Sequence, residues 1–176
     1  MIEMERFERF AAQAREAREL AAFARATRTL NEADDVLQPG TAEAERVVAA
    51  LEAMFLVASG QDEDEAPSFR RIVGAVMGEL DSERADELVE SLAGNLEDEG
   101  LDIRLKWVGE ALQGSRPFAE QTFKLCVAVA SLFAEADDPS DQDELLTGLS
   151  EELGLTDDRA DELRALVDAA MRPDGA

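Results

Sequence analysis

The sequence contains the pentapeptide RADEL twice, in RADELVESL at residues 84–92 and in RADELRALV at residues 159–167. Five common residues can recur by chance, so the flanks of the two copies decide whether the repeat is structural. Asp81 precedes the first copy and Thr156 the second, each at the position of a helix N-cap. Both copies therefore open a helix in the same way.

The correspondence continues upstream, where Gly78 matches Gly154 and the apolar positions of two earlier helices also align. Each copy follows the order helix, acidic loop, helix, tight turn, helix. The repeat predicts a duplicated unit, at about residues 47–96 and 123–171, whose copies pack with pseudo-twofold symmetry. We expect the two copies to superpose by a near-twofold rotation.

Helical periodicity runs through nearly the whole chain, and there is no Tyr and no strand-like alternation. The sequence therefore predicts an all-α bundle of about eight helices, formed by the two three-helix units and an N-terminal helix. That first helix is predicted over residues 3–30, where Phe7 and Phe10 begin a narrow stripe of small residues that suits packing or self-association. Residues 1–40 comprise this Ala-rich helix and an acidic connector, and residues 41–172 the helical domain.

Several residues have predicted structural roles. Thr41 and Thr156 are expected to cap helices, and a nearly apolar helix over residues 118–136 is expected at the centre of the bundle. Cys126 lies within it and is expected to be a buried hydrophobic residue. Trp107 is expected in the core as an anchor.

The charge is strongly acidic, with 41 Asp and Glu against 17 Lys and Arg and a net charge of -24. Such a surface repels nucleic-acid phosphate, so direct nucleic-acid binding is not expected. Basic protein surfaces and cations are the expected partners, although solubility or salt adaptation explains the acidity equally well. No segment has the length of a membrane span or the pattern of a signal peptide, which predicts a cytoplasmic protein without membrane insertion.

The second unit, FKLCVAVASLFAEADDPSDQDELLTGLSEELGLTDDRADEL at residues 123–163, resembles the TerB-like family of tellurite-resistance proteins. The matching features are an apolar helix ending in Ala136-Asp137, then Glu144, then an LGL turn before an acidic cap and helix. Asp138 stands where the family has Gly. The resemblance implies an all-helical module that binds divalent metal through acidic loop residues and serves tellurite or chemical-stress responses in membrane-associated assemblies.

The acidic loop contains the candidate metal ligands Asp137, Asp138, Asp141 and Glu144. Carboxylates in a loop suit Ca²⁺ or Mg²⁺ better than a soft transition metal, but the EF-hand pattern is absent, so weak binding is expected. Helix capping and interaction with the helix dipole explain the same acids, and folding requires no cofactor. Metal binding and capping both remain open on the sequence.

The chain has no His and no Gly-rich phosphate loop, and its single cysteine is assigned to the core, so catalysis is not expected. The sequence predicts a non-enzymatic TerB-like binding or adaptor protein with one or more protein partners. Two alternatives remain: an acidic decoy that mimics nucleic acid on a basic protein surface, and a structural subunit held in an assembly, or in a homodimer, by its N-terminal helix.

Overall fold

The computed structural model describes residues 2–59, 66–132 and 139–171, and the side chains of residues 2–3, 59, 66–68 and 139–142 are not described. Within these residues the chain forms nine helices and no strand, which confirms the all-α prediction. In chain order the helices are α1 (Ile2–Glu16), α2 (Ala21–Glu32), α3 (Ala42–Ser59), α4 (Ala66–Met77), α5 (Ser82–Glu99), α6 (Leu101–Leu112), α7 (Arg116–Ser131), α8 (Pro139–Glu152) and α9 (Asp157–Met171).

The two longest apolar helices, α3 and α7, pack against each other at the centre. Every residue of α3 from 47 to 58 is buried, and α7 buries a comparable run that includes Phe123 and Cys126. Helices α2 and α6 flank α3, α9 covers α7, and α8 packs against α6. One continuous hydrophobic core results, with residues from α1 to α9.

The order of helices and turns repeats as the RADEL motif predicts. Each unit has a central helix, a second helix ending in a left-handed glycine, at Gly78 with φ 73° and Gly154 with φ 79°, and a third helix carrying the motif. The third helices pack differently, because α9 lies along α7 whereas α5 contacts mainly α4 and α6. Superposition of the units by a near-twofold rotation stays a prediction.

One side chain shows why the third helices differ. Arg159, in the second RADEL, donates two hydrogen bonds to the Glu120 carboxylate of α7, at 3.1 and 2.8 Å. This guanidinium, with Arg116, holds the pKa of Glu120 below its usual value. The equivalent Arg84 pairs with Glu87 in its own helix. The ion pair that ties α9 to α7 is therefore specific to the second copy.

The predicted single helix at residues 3–30 is wrong, because the chain turns at residues 17–20 and forms α1 and α2. Arg18 adopts a left-handed conformation with φ 64°, while Glu19 N donates to Ala14 O and Arg18 N to Arg15 O. These two bonds form a Schellman turn without glycine. Local helix propensity favours continuation here, so tertiary packing of the two segments determines the break.

The small-residue face of α1 is buried within its own chain. Phe7 is 0% exposed and Phe10 7%, and α1 packs against α4, with further contacts to α7 and α9. The packing partner that the sequence predicts for this face is therefore found within the same chain, in α4, α7 and α9. The surface proposed for a homodimer is not exposed, so a homodimer formed through it loses its structural basis.

Candidate functional site

The predicted acidic metal site falls largely on residues that the structure does not describe. Asp137 and Asp138 lie outside the described residues, and of Asp141 only the backbone, in α8, is described. Glu144 is exposed on α8. The neighbouring Asp143 accepts a hydrogen bond from Arg164 of α9 at 3.2 Å, so one carboxylate of this acidic segment is paired with an arginine.

Elsewhere, the described ranges 2–59, 66–132 and 139–171 contain no group of three or more metal-ligating side chains. Cys126 is fully buried in α7, and burial raises the pKa of its thiol well above the usual value. The prediction that Cys126 is a buried hydrophobic residue is confirmed. A thiol that remains protonated and out of contact with solvent is a poor nucleophile.

A buried ion pair links α3 to α6. Arg104 of α6 donates from Nε to Oε2 of Glu52 at 2.6 Å and from Nη2 to Oε1 at 2.5 Å, and the Glu52 side chain is 1% exposed. A third bond runs from Nη1 to Glu99 at the end of α5, at 2.9 Å. The hydrogen bonds that Arg104 donates to Glu52 are the largest of the effects that raise the pKa of Arg104, so its charge is fixed.

Trp107 lies on the solvent side of this ion pair. Its ring lies over the Arg104 guanidinium, with 4.6 Å between the ring centroid and Cζ, in a cation–π contact. The indole is nevertheless 40% exposed, so the prediction that Trp107 is a core residue is wrong. The apolar character of tryptophan favours burial at position 107. The sequence does not show that Arg104 occupies the buried position on this side of α6 instead.

Ile103, at 56% exposed, lies one helical turn from Trp107 on the same outward side of α6. Exposed acids lie close in sequence to the pair, at the end of α5 and along α6, and they include Asp98, Asp102 and Glu110. We name Ile103, Trp107 and these acids the α6 outer face. It combines a large aromatic anchor with an excess of negative charge over the one exposed base on α6, Lys106, and such a surface suits a basic, partly apolar partner.

A cavity of about 490 Å³ lies between α2 and the end of α4. Two polar side chains that line this cavity bind carbonyl groups at the C-terminal end of α4. Thr27 donates to Met77 O at 2.8 Å, and Asn31 donates to Glu79 O at 3.2 Å. Arg15 donates to Ala75 O from the adjoining surface. These bonds satisfy carbonyls that the end of a helix leaves open, so they join the N-terminal helices to the domain.

No family model matches the chain, and neither a curated protein nor a solved structure matches it. Within the described ranges no helix has both the length and the apolar character needed to cross a bilayer. Function must therefore be inferred from the surfaces and cavities described above.

Proposed function

We propose that this protein is a non-enzymatic, TerB-like adaptor that binds a basic protein partner through the α6 outer face. The observation that carries the proposal is the exposure of Trp107, whose ring is oriented by Arg104 beneath it. An aromatic residue held rigidly at the surface loses little conformational entropy on binding, and tryptophan is enriched among residues that dominate binding energy. The acids around it favour a basic partner.

Truncation of Trp107 tests this proposal. We expect Trp107→Ala to weaken partner binding at least about 30-fold, which corresponds to about 2 kcal/mol for a dominant interface residue. Ile103→Ser should also weaken it, and this second variant leaves the Arg104 contact intact. The matched control is Leu166→Ala, because Leu166 is 55% exposed on α9, a helix that packs mainly against α7 and α1.

The measurement starts from a partner cross-linked in the native organism and then purified. Trp107 is the sole tryptophan, so its fluorescence reports contact at the α6 outer face directly. We expect a blue shift on binding, with affinity retained in Leu166→Ala. Equal affinity of Trp107→Ala and wild type for the purified partner would rule out this surface.

The two alternatives give different results in the same experiment. An acidic decoy depends on charge spread over the whole surface, so its binding would fall steeply with salt and respond little to Trp107→Ala. A structural subunit held by α1 would depend on Phe7 and Phe10, whose burial within the chain argues against that mode. A role in tellurite or chemical-stress response remains part of the proposal through the family resemblance alone.

The acidic loop carries a separate prediction. If Asp137 and Glu144 bind Ca²⁺ or Mg²⁺, with Asp138 or Asp141 adding a ligand, millimolar divalent ion raises the melting temperature, because a ligand of the folded state stabilises it by mass action. The shift should disappear in Asp137→Asn/Glu144→Gln. A monovalent salt of matched ionic strength controls for screening of the net charge. An equal shift in wild type and double variant would assign these residues to helix capping alone.

A further inference from the structure

A second cavity, of about 270 Å³, lies where the first turns of α7 meet α2 and α3. Its apolar wall includes Phe23 of α2 and Phe118 of α7, whose rings stack with centroids 5.5 Å apart and an interplanar angle of 23°. Phe23 is buried and Phe118 half-buried. The volume is close to the lower limit for ligand pockets, about 300 Å³, so only a small molecule fits.

The cavity is also lined by four charged side chains, three of which are held in ion pairs. Arg25 donates two hydrogen bonds to Glu43, at 2.9 and 2.8 Å, and Glu19 pairs with Lys124 at 3.7 Å. Arg46 differs, since it makes no hydrogen bond or salt bridge with any residue that the structure describes, although its charge acts on the nearby Glu43 carboxylate. Its hydrogen-bond donors are therefore open to a ligand.

An unsatisfied donor lies in the same wall. The amide nitrogen of Gln121, on α7, is buried and has no hydrogen-bond partner in the described part of the chain. A buried N–H without an acceptor is uncommon in native proteins and calls for an explanation. The terminal torsion of glutamine is soft, so a small rotation turns this N–H toward an acceptor in the cavity.

The start of α7 adds to the positive potential. Ser115 occupies the N-cap position and lines the cavity, but its side chain makes no capping hydrogen bond. The N-terminal end of this 16-residue helix carries partial positive charge from its open N–H groups, which favours a nearby anion.

From these features we infer that the cavity binds a small monocarboxylate, whose apolar part contacts Phe23 and Phe118 and whose carboxylate accepts hydrogen bonds from Arg46 and Gln121. One guanidinium with open hydrogen-bond donors matches one carboxylate, and the aromatic wall disfavours a fully hydrated anion such as phosphate. This inference concerns a different surface from the α6 outer face and does not depend on the proposed adaptor role.

Benzoate is a suitable probe, with benzamide as its neutral counterpart of nearly the same shape. Titrations of the full chain at fixed ionic strength, followed by amide NMR shifts, should give saturable benzoate binding with the largest shifts at Ala22, Phe118 and Gln121. Benzamide and inorganic phosphate should bind at least about tenfold more weakly, as expected for loss of a charge-assisted contact or of apolar contact.

Two variants and a matched control locate the site. Arg46→Gln should weaken benzoate binding about tenfold or more, by loss of a charge-assisted hydrogen bond. Arg28→Gln makes the same charge change in the other cavity and should bind as wild type does. Ala22→Leu fills the cavity without changing charge and should abolish binding.

Equal binding of benzoate and benzamide would overturn the inference, as would benzoate binding that Arg46→Gln and Ala22→Leu leave unchanged. Absence of saturable benzoate binding to the wild type would overturn it as well.

Discussion

Glu52→Gln is expected to lower the free energy of unfolding by about 3 kcal/mol, the lower end of the range for breaking a buried ion pair. The variant removes the negative charge of Glu52 while keeping the side-chain shape, so the guanidinium stays buried and one of its three acceptor oxygens becomes an amide N–H donor. Glu99 remains bound to Nη1, and this second carboxylate keeps the loss from being larger. Urea unfolding at neutral pH measures the change.

The chain offers a matched control in Glu43→Gln. Glu43 pairs with Arg25 through the same two-bond geometry, but the two side chains are 42% and 62% exposed. Exposed pairs contribute about 0.2–1 kcal/mol, because water already solvates both charges. Equal losses in Glu52→Gln and Glu43→Gln would show that burial adds nothing to the cost of breaking the α3–α6 pair.

A double variant separates the stability of the pair from the cost of breaking it. Replacement of both partners by apolar residues, in Glu52→Leu/Arg104→Met, leaves no buried charge and should recover most of the stability lost in Glu52→Gln. Recovery would indicate that the ion pair fixes the position of α6 and Trp107 rather than adding net stability. The position of Trp107 can be followed by its fluorescence in the same samples.

Gly109→Ala is expected to destabilise the protein by about 3 kcal/mol, the upper end of the usual range for overpacking. A Cβ at this position would lie 2.4 Å from the carbonyl oxygen of Glu152 and 2.8 Å from its Cβ, where α6 crosses the end of α8. The clash is with backbone, so no side-chain rotation relieves it. Gln113 Nε2 also donates to the same carbonyl at 2.7 Å, and separation of the helices would strain that bond.

Gly94→Ala is the matched control for this substitution. Gly94 lies within α5, and a Cβ there meets nothing within 4 Å, so the change should stabilise the helix by about 0.5–1 kcal/mol. For a chain of this size, 3 kcal/mol corresponds to a fall in melting temperature of about 6–12 °C. A melting temperature of Gly109→Ala equal to or above that of wild type would contradict the predicted clash.

Most of the features that sequence reasoning predicted correctly are set by local chemistry, although Asp81 occupies the N-cap of α5 without the side-chain capping hydrogen bond that Thr156 makes. Thr41 and Thr156 accept hydrogen bonds from Ala44 N and Arg159 N, each at 3.1 Å, as expected of N-caps. Left-handed Gly154 likewise ends α8 before the turn into the second RADEL helix. A cap or a glycine turn involves only a few consecutive residues, so a single sequence contains the information.

The features it missed depend on contacts between distant segments. The turn at Arg18 opposes local helix propensity, and the burial of Arg104 with the exposure of Trp107 requires Glu52, which is 52 residues away. The pairing of Arg46 and Gln121 around one cavity likewise requires α3 and α7 to be adjacent. Hydropathy ranks Trp107 above Arg104 for burial, and only the position of a carboxylate on another helix reverses that order.

The contacts of α1 have a consequence for the order of folding during synthesis. Helix α1 is synthesised before α4, α7 and α9, yet its buried face packs against all three, and Arg15 donates to the carbonyl of Ala75. This amphipathic helix therefore has no complete docking surface until α9 has been made. The native contacts of α1 are therefore non-local, and we expect them to form after the contacts between helices that are neighbours in the chain.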